Sequence, residues 1–167
     1  PWVKGPPLNQ RRVALVSTAG LHRRDDRPFG GGASATEYRV IPSDTPSASL
    51  VMGHISVNFD RSGFRQDPNL VFPLDRLQEL AADGTIGSVA DYHYSFMGAP
   101  FPPTQFEPKA RALVGLLARD HVDAEELAGD CDQRVVLAGI FLRRREPVPV
   151  TLAVLEFQRI EWHHLGA

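Results

Sequence analysis

Three histidines, one aspartate and one cysteine carry most of the chemistry open to this sequence. His54 interrupts the apolar run 50–55 (LVMGHI) and precedes a polar loop holding Asn58 and Asp60. A histidine there can ligate a metal or act as a general base, or it can be a core residue satisfied by a backbone carbonyl. His22 follows the Gly turn Thr18-Ala19-Gly20-Leu21, and His93 lies between Tyr92 and Tyr94. If the strands preceding them are parallel, their ends meet at one edge. His22, His54 and His93 would then converge, with Asp60 or Asp91 as a carboxylate, a set that suits zinc or iron. No HxH, HxxxH or HExxH spacing supports this, so only the fold could assemble such a site. His163-His164 reads as a terminal accident.

Cys131 is the remaining nucleophile candidate. It follows Gly129-Asp130 and opens the apolar-periodic stretch 132–145, read as a helix. A cysteine at a helix N-terminus gains thiolate character from the unpaired backbone donors. Ser95 lies in HYSFM and lacks the Gly-x-Ser-x-Gly elbow, so a serine hydrolase reading is poor. Tyr92, Tyr94 and Phe96 alternate as on a half-buried strand and read as core. The three glycines of DDRPFGGGASAT (25–36) have no following Gly-Lys-Ser/Thr or helix and read as a surface loop.

The elements that must position these groups alternate between strand and helix. Residues 12–17 (RVALVS) form a continuous apolar run, the pattern of a strand buried on both faces. Residues 37–42 form a short strand, 43–46 a turn, 50–55 a buried strand and 56–69 a polar loop. Residues 73–83 form a helix, with Leu74, Leu77, Leu80 and Ala81 on one stripe and Gly84 at its C-terminal cap. A Pro-rich connection over 99–108 precedes a helix over 109–120. The next strand begins at 121–124, interrupted by Glu125-Glu126, and the helix over 132–145 leads to a last strand over 147–155. This order predicts an α/β fold, a layered, mainly parallel sheet flanked by helices, with strands 13–17, 50–55 and 150–155 together. Residues 1–11 read as an extended lead-in, 12–155 as one domain and 156–167 as a tail, helical or foreign to the fold.

VFPLDRLQELAADGTIGS (71–88) and HYSFMG (93–98), with His54 and Asp60 ahead of them, resemble the selenoprotein B family of glycine, sarcosine, betaine and D-proline reductases. VALVSTAGLH (13–22) and YRVIPSDTP (38–46) fit the same pattern, so the resemblance runs from about Arg12 to about Gln133. It implies a reductase-like oxidoreductase subunit acting on a small amino-acid-like substrate, with a partner protein supplying electrons. It also implies a redox pair at the strand-to-helix turn: a selenocysteine or cysteine, with another cysteine three positions away. Here Cys131 occupies the second place and Ala128 the first. A single thiol can attack, but it cannot resolve its own intermediate as a disulfide within one chain. The resemblance thus makes Cys131, His54 and Asp60 the catalytic candidates. A metal-assisted enzyme and a non-catalytic subunit of a larger complex are the alternatives.

Composition narrows the partners. Net charge is −2 with both signs mixed along the chain, and Arg143-Arg144-Arg145 is the longest basic cluster, so nucleic acid is not the expected partner. No apolar run approaches the roughly 20 residues that span a bilayer, so no membrane is expected either. The single cysteine excludes an intramolecular disulfide and suits a reducing cytoplasm. The expected partners are a small-molecule substrate and an electron-donor protein or a second copy of the chain.

The charge around Cys131 yields a first test. A helix N-terminus stabilises a nearby anion by roughly 0.3–1 kcal/mol, and one pKa unit is about 1.4 kcal/mol. The dipole alone therefore gives less than a unit, and Glu125, Glu126, Asp130 and Asp132 oppose it. Iodoacetamide should alkylate Cys131 at neutral pH no more than a few times faster than a free thiol. Alkylation tens of times faster than glutathione would refute this.

Overall fold

The computed structural model describes residues 6–30, 36–54, 61–97, 103–128 and 138–140. At its centre is β1 (Arg12–Ser17), buried along nearly its whole length as its unbroken apolar sequence requires. The other strands of the main sheet are β3 (Tyr38–Pro42), β5 (Ser88–Val89), β6 (Tyr92–Phe96), β7 (Ala124–Ala128) and β8 (Ala138–Ile140). Their order is β3-β6-β1-β7-β8, with β5 also paired to β1. β1 runs parallel to β5, β6 and β7, while the outer strands β3 and β8 are antiparallel to their neighbours. The fold is α/β with a mostly parallel sheet, and the antiparallel strands lie at its margins, as is common in mixed sheets.

Alternation along β1 separates two cores. Val13 and Leu15 face α2 (Leu74–Ala82), packing with Ile41, Phe72, Leu74 and Leu77. Ala14 and Val16 face α3 (Pro103–Arg119), packing with Tyr94, Phe96, Leu113 and Leu117. The helix stripe expected over 73–83 is present, and Gly84 ends it at φ 78°. Leu80, however, is exposed.

Several expectations are corrected. The described part of the run 50–55, residues 50–54, does not join β1. Only β4 (Leu50–Met52) forms, and it pairs antiparallel with β2 (Leu21–Arg23) in a separate two-stranded sheet. Its burial shows why: only Leu50 is fully buried, whereas a central parallel strand must be covered on both faces. The loop 56–69 contains α1 (Ser62–Gln66) and a 3₁₀ turn at Pro68–Leu70, whose Asp67 cap accepts from Asn69 N at 2.9 Å. The Pro-rich stretch 99–108 is not all connection, because α3 starts at Pro103 and carries Pro108 within it. Proline is tolerated near a helix start, and the packing of Phe106 and Leu113 holds the segment helical. Glu125-Glu126 does not interrupt β7, whose five residues pair backbone to backbone with Val13–Ser17. Residues 138–140 are a strand against β7 rather than part of a helix over 132–145. Short apolar runs do not distinguish the two by periodicity. The remainder of that stretch, the strand at 147–155 and the tail lie outside the described residues.

The side of β1 facing β6 has a break. β5 pairs with Arg12 and Val13 and β6 with Val16 and Ser17, so Ala90-Asp91 interrupts what would otherwise be one strand. Gly87 permits the entry to β5: a Cβ there would stand 2.5 Å from the backbone of Gln10. Arg12 and Asp120 pin the interruption. Arg12 donates to Asp120 Oδ1 (2.7 Å), Asp120 O (2.7 Å) and Val89 O (2.8 Å), and it also meets Asp91 at 2.9 Å. The second oxygen of Asp120 accepts from Asp91 N at 2.9 Å and Tyr92 N at 3.3 Å.

Asp120→Ala should therefore lower unfolding free energy by about 1–2 kcal/mol in urea titration, because it takes one carboxylate from Arg12, which keeps Asp91 and two carbonyls, and the acceptor from two backbone donors that water can reach. Glu107→Ala, which removes an exposed i,i+4 pair with Arg111, should change it by less than about 0.5 kcal/mol.

Candidate functional site at the carboxyl edge of the sheet

β1 leaves the sheet at Gly20, where φ is 65°, a conformation that favours glycine. Gly20 N donates to Phe96 O at 2.7 Å, and Gly53 N donates to Gly20 O at 2.8 Å. These two bonds tie the ends of β1, β6 and β4 together. A Cβ on Gly20 would lie 2.9 Å from His54 N, so the glycine also sets how closely the two turns approach. Two serine hydroxyls complete the edge. Ser95 Oγ accepts from Leu21 N at 2.8 Å; Ser17 Oγ accepts from Ala19 N at 3.1 Å and donates to Val71 O at 3.4 Å.

His22 and His54 are both brought to this edge and buried. The His54 carbonyl accepts a hydrogen bond from Arg61. The His22 Nδ1 donates to Arg23 O at 2.8 Å, while its Nε2 would lie 3.5 Å from a Cβ placed on Gly53. Phe29 meets the His22 ring edge-on at 6.2 Å, and the Arg39 guanidinium stacks over Phe29 at 4.4 Å.

His93 lies on the same face of the sheet but in the interior, at 0% exposure. Its Nδ1 accepts from Leu15 N at 3.0 Å, in the gap between β5 and β6, and Phe72 meets its ring at 6.0 Å. Burial pushes its pKa down to about 4, with the Asp120 carboxylate opposing and the Arg12 cation adding to the shift. Asp91 is at the far end of β1, paired with Arg12. Asp60 and Cys131 lie outside the described residues. Among the described residues, no group of three or more His, Cys, Asp or Glu side chains could hold a metal ion. The Nδ1 atoms of His22 and His93 are each committed to backbone groups.

Tyr94 is in the second core beside Tyr38, and burial foremost raises its pKa to about 12, in keeping with a packing role. Ser17, Ser95 and the Phe29–Arg39 pair were not legible as site residues. A serine inside a β-rich apolar run and an arginine within YRVIP were the available signals.

The fold is thus α/β, a mostly parallel sheet with histidines and hydroxyls at the carboxyl edge, the edge at which open α/β sheets generally take ligands. The chain belongs to the glycine/sarcosine/betaine reductase selenoprotein B family, which residues 6–129 match, ending ahead of Cys131. It is 31% identical over 134 residues to the D-proline reductase subunit gamma of Acetoanaerobium sticklandii, covering 78% of this chain and 54% of that one. It is 29% identical over 120 residues to the betaine reductase complex component B subunit beta of Peptoclostridium acidaminophilum, covering 70% and 27%. With the glycine reductase complex component B subunit gamma of Carboxydothermus hydrogenoformans the identity is 26% over 121 residues, again covering 70% and 27%. The chain thus spans about half the length of the first relative and about a quarter of the other two. No solved structure matches it. No helix among the described residues is long and apolar enough to cross a membrane.

His93 gives a pH test. Its pKa is near 6.5 in the unfolded chain and about 4 when folded. Between those values the unfolded state binds more protons, so this residue's contribution rises with pH across roughly 4 to 6.5 and is level above. The whole contribution is on the order of 3 kcal/mol. His93→Asn keeps an acceptor near the Nδ1 position for Leu15 N. Urea titrations at pH 4.5 and 7 should show a smaller stability difference for this variant than for wild type, and an equal difference would contradict the assignment.

Proposed function

We propose that this chain is a reductase-complex subunit that binds a small amino-acid-like substrate at the carboxyl edge of the sheet, with Cys131 as its nucleophilic thiol. The observation that carries this reading is the family match over residues 6–129, together with relatives whose names specify D-proline, betaine, sarcosine and glycine reductases. The edge supports it: Gly20 and Gly53 bring His22 and His54 to the place where open α/β sheets take ligands. In this scheme the Cys131 thiolate attacks the carbon that bears the substrate nitrogen, forming a C–S bond as the C–N bond breaks and the nitrogen leaves as an amine. A thiol on a partner protein then attacks the Cys131 sulfur, giving a mixed disulfide while the C–S electron pair and a proton stay with the released acid. A further thiol of the partner or of the added dithiol reduces that disulfide, since Ala128 stands where the resemblance puts the family's first redox residue. His54 and Asp60 are the candidate acid–base groups of the same site. The same alanine favours a second reading, a non-catalytic subunit whose former substrate edge serves assembly.

The two separate in one assay. The full natural chain, with its complex partners and a dithiol as electron source, is incubated with glycine, sarcosine, betaine or D-proline, and amino-acid loss is followed by chromatography. Consumption of one of them, lowered at least about tenfold in Cys131→Ser, is the expected result. Consumption unaffected by that substitution would place catalysis elsewhere, and no consumption of any would favour the non-catalytic subunit.

A further inference from the structure

We propose that His22 recognises the substrate nitrogen. Its Nε2 accepts a hydrogen bond from an N–H of a small amino acid, and Arg39, acting through Phe29, is the residue that positions it. This inference rests on the reading of the chain as a subunit that binds small amino acids.

The tautomer of His22 follows from its partner. A backbone carbonyl only accepts, so the bond to Arg23 O places the proton on Nδ1, and the neutral ring carries its lone pair on Nε2. Among the described residues, Nε2 has no hydrogen-bond partner. It lies beside Gly53, in the turn that Gly53 N ties to Gly20 O. An acceptor of fixed tautomer at the open tip of a largely buried ring, on a sheet's carboxyl edge, is matched by a ligand that brings its own donor.

The ring is also held in place. Phe29 packs edge-on against it and is in turn covered by Arg39. Arg39 is itself buried, and its fork is consumed by the loop that carries Phe29: Nε donates to Arg27 O at 2.9 Å and Nη2 to Pro28 O at 3.0 Å. Nη1 meets Glu37 at 3.2 Å. A planar guanidinium bonded this fully fixes a loop in a way that lysine cannot reproduce.

The consequence is a selectivity. Glycine, sarcosine and D-proline all carry hydrogen on nitrogen, whereas the quaternary nitrogen of betaine carries none. All four have a carboxylate, so a His22 that bound the carboxylate would not tell them apart. An Nε2 acceptor favours the first three.

The test is calorimetric binding of all four ligands to the full natural chain, comparing wild type with His22→Asn. Asparagine keeps a donor at the δ position for Arg23 O and lacks the ε acceptor. Wild type should bind at least one N–H ligand more tightly than betaine. His22→Asn should weaken that ligand about tenfold, the range of one hydrogen bond to a charged partner, and betaine less than about twofold. Arg39→Lys should lower the same ratio about threefold, and it serves as the deciding variant if His22→Asn does not fold. An unchanged ratio, an equal loss for betaine, or a wild-type preference for betaine overturns the proposal and leaves the reductase reading in place. Wild-type protein that binds none of the four removes both.

Discussion

The bond from Leu15 N–H to His93 Nδ1 closes a gap on which the rest of the sheet depends. β1 is the central strand, and its neighbour on one side is broken at Ala90-Asp91. Without a substitute acceptor, the amide of a fully buried leucine would be left unpaired, at a cost of roughly 1–3 kcal/mol. The imidazole takes the position a carbonyl would hold in an unbroken ladder. Arg12 and Asp120 then secure the backbone that makes the break, and Asp120 lies just beyond α3. One histidine and one ion pair therefore connect β1, the β5–β6 strand and the following helix. This is why a residue type associated with catalysis is found here in a structural position.

His93 is engaged inside the sheet, whereas among the described residues His22, His54, Ser17 and Ser95 lie at its carboxyl edge, beside the Gly20 and Gly53 turns. β2 and β4 form their own small sheet there, and they hold His22 opposite Val51. The Phe29–Arg39 stack adds a wall from a third segment. These groups come from separate stretches of the chain, and the left-handed Gly20 sets how closely the turns that carry His22 and His54 approach.

Within its family, this chain is matched over residues 6–129, which take in β1 to β7 and both longer helices. The betaine, sarcosine and glycine reductase relatives are named as components of complexes.

Much was legible in the sequence because it depends on local pattern. The unbroken apolar run 12–17 determined a buried central strand. The spacing of Leu74 and Leu77 with Gly84 behind them determined α2 and its end. The motifs over 71–88 and 93–98 determined the family. What only the tertiary structure decided were the pairings and the fate of each polar side chain. The run 50–55 looked like another central strand, yet it lies in a separate antiparallel pair, because strand partners are chosen by burial on both faces and not by composition. Glu125 and Glu126 looked like an interruption, yet β7 runs through them, because a parallel ladder is made by the backbone. His22, His54 and His93 are indistinguishable as letters. His22 and His93 differ in which backbone atom meets the ring: the next carbonyl in the chain for His22, and the amide of Leu15, distant in sequence, for His93.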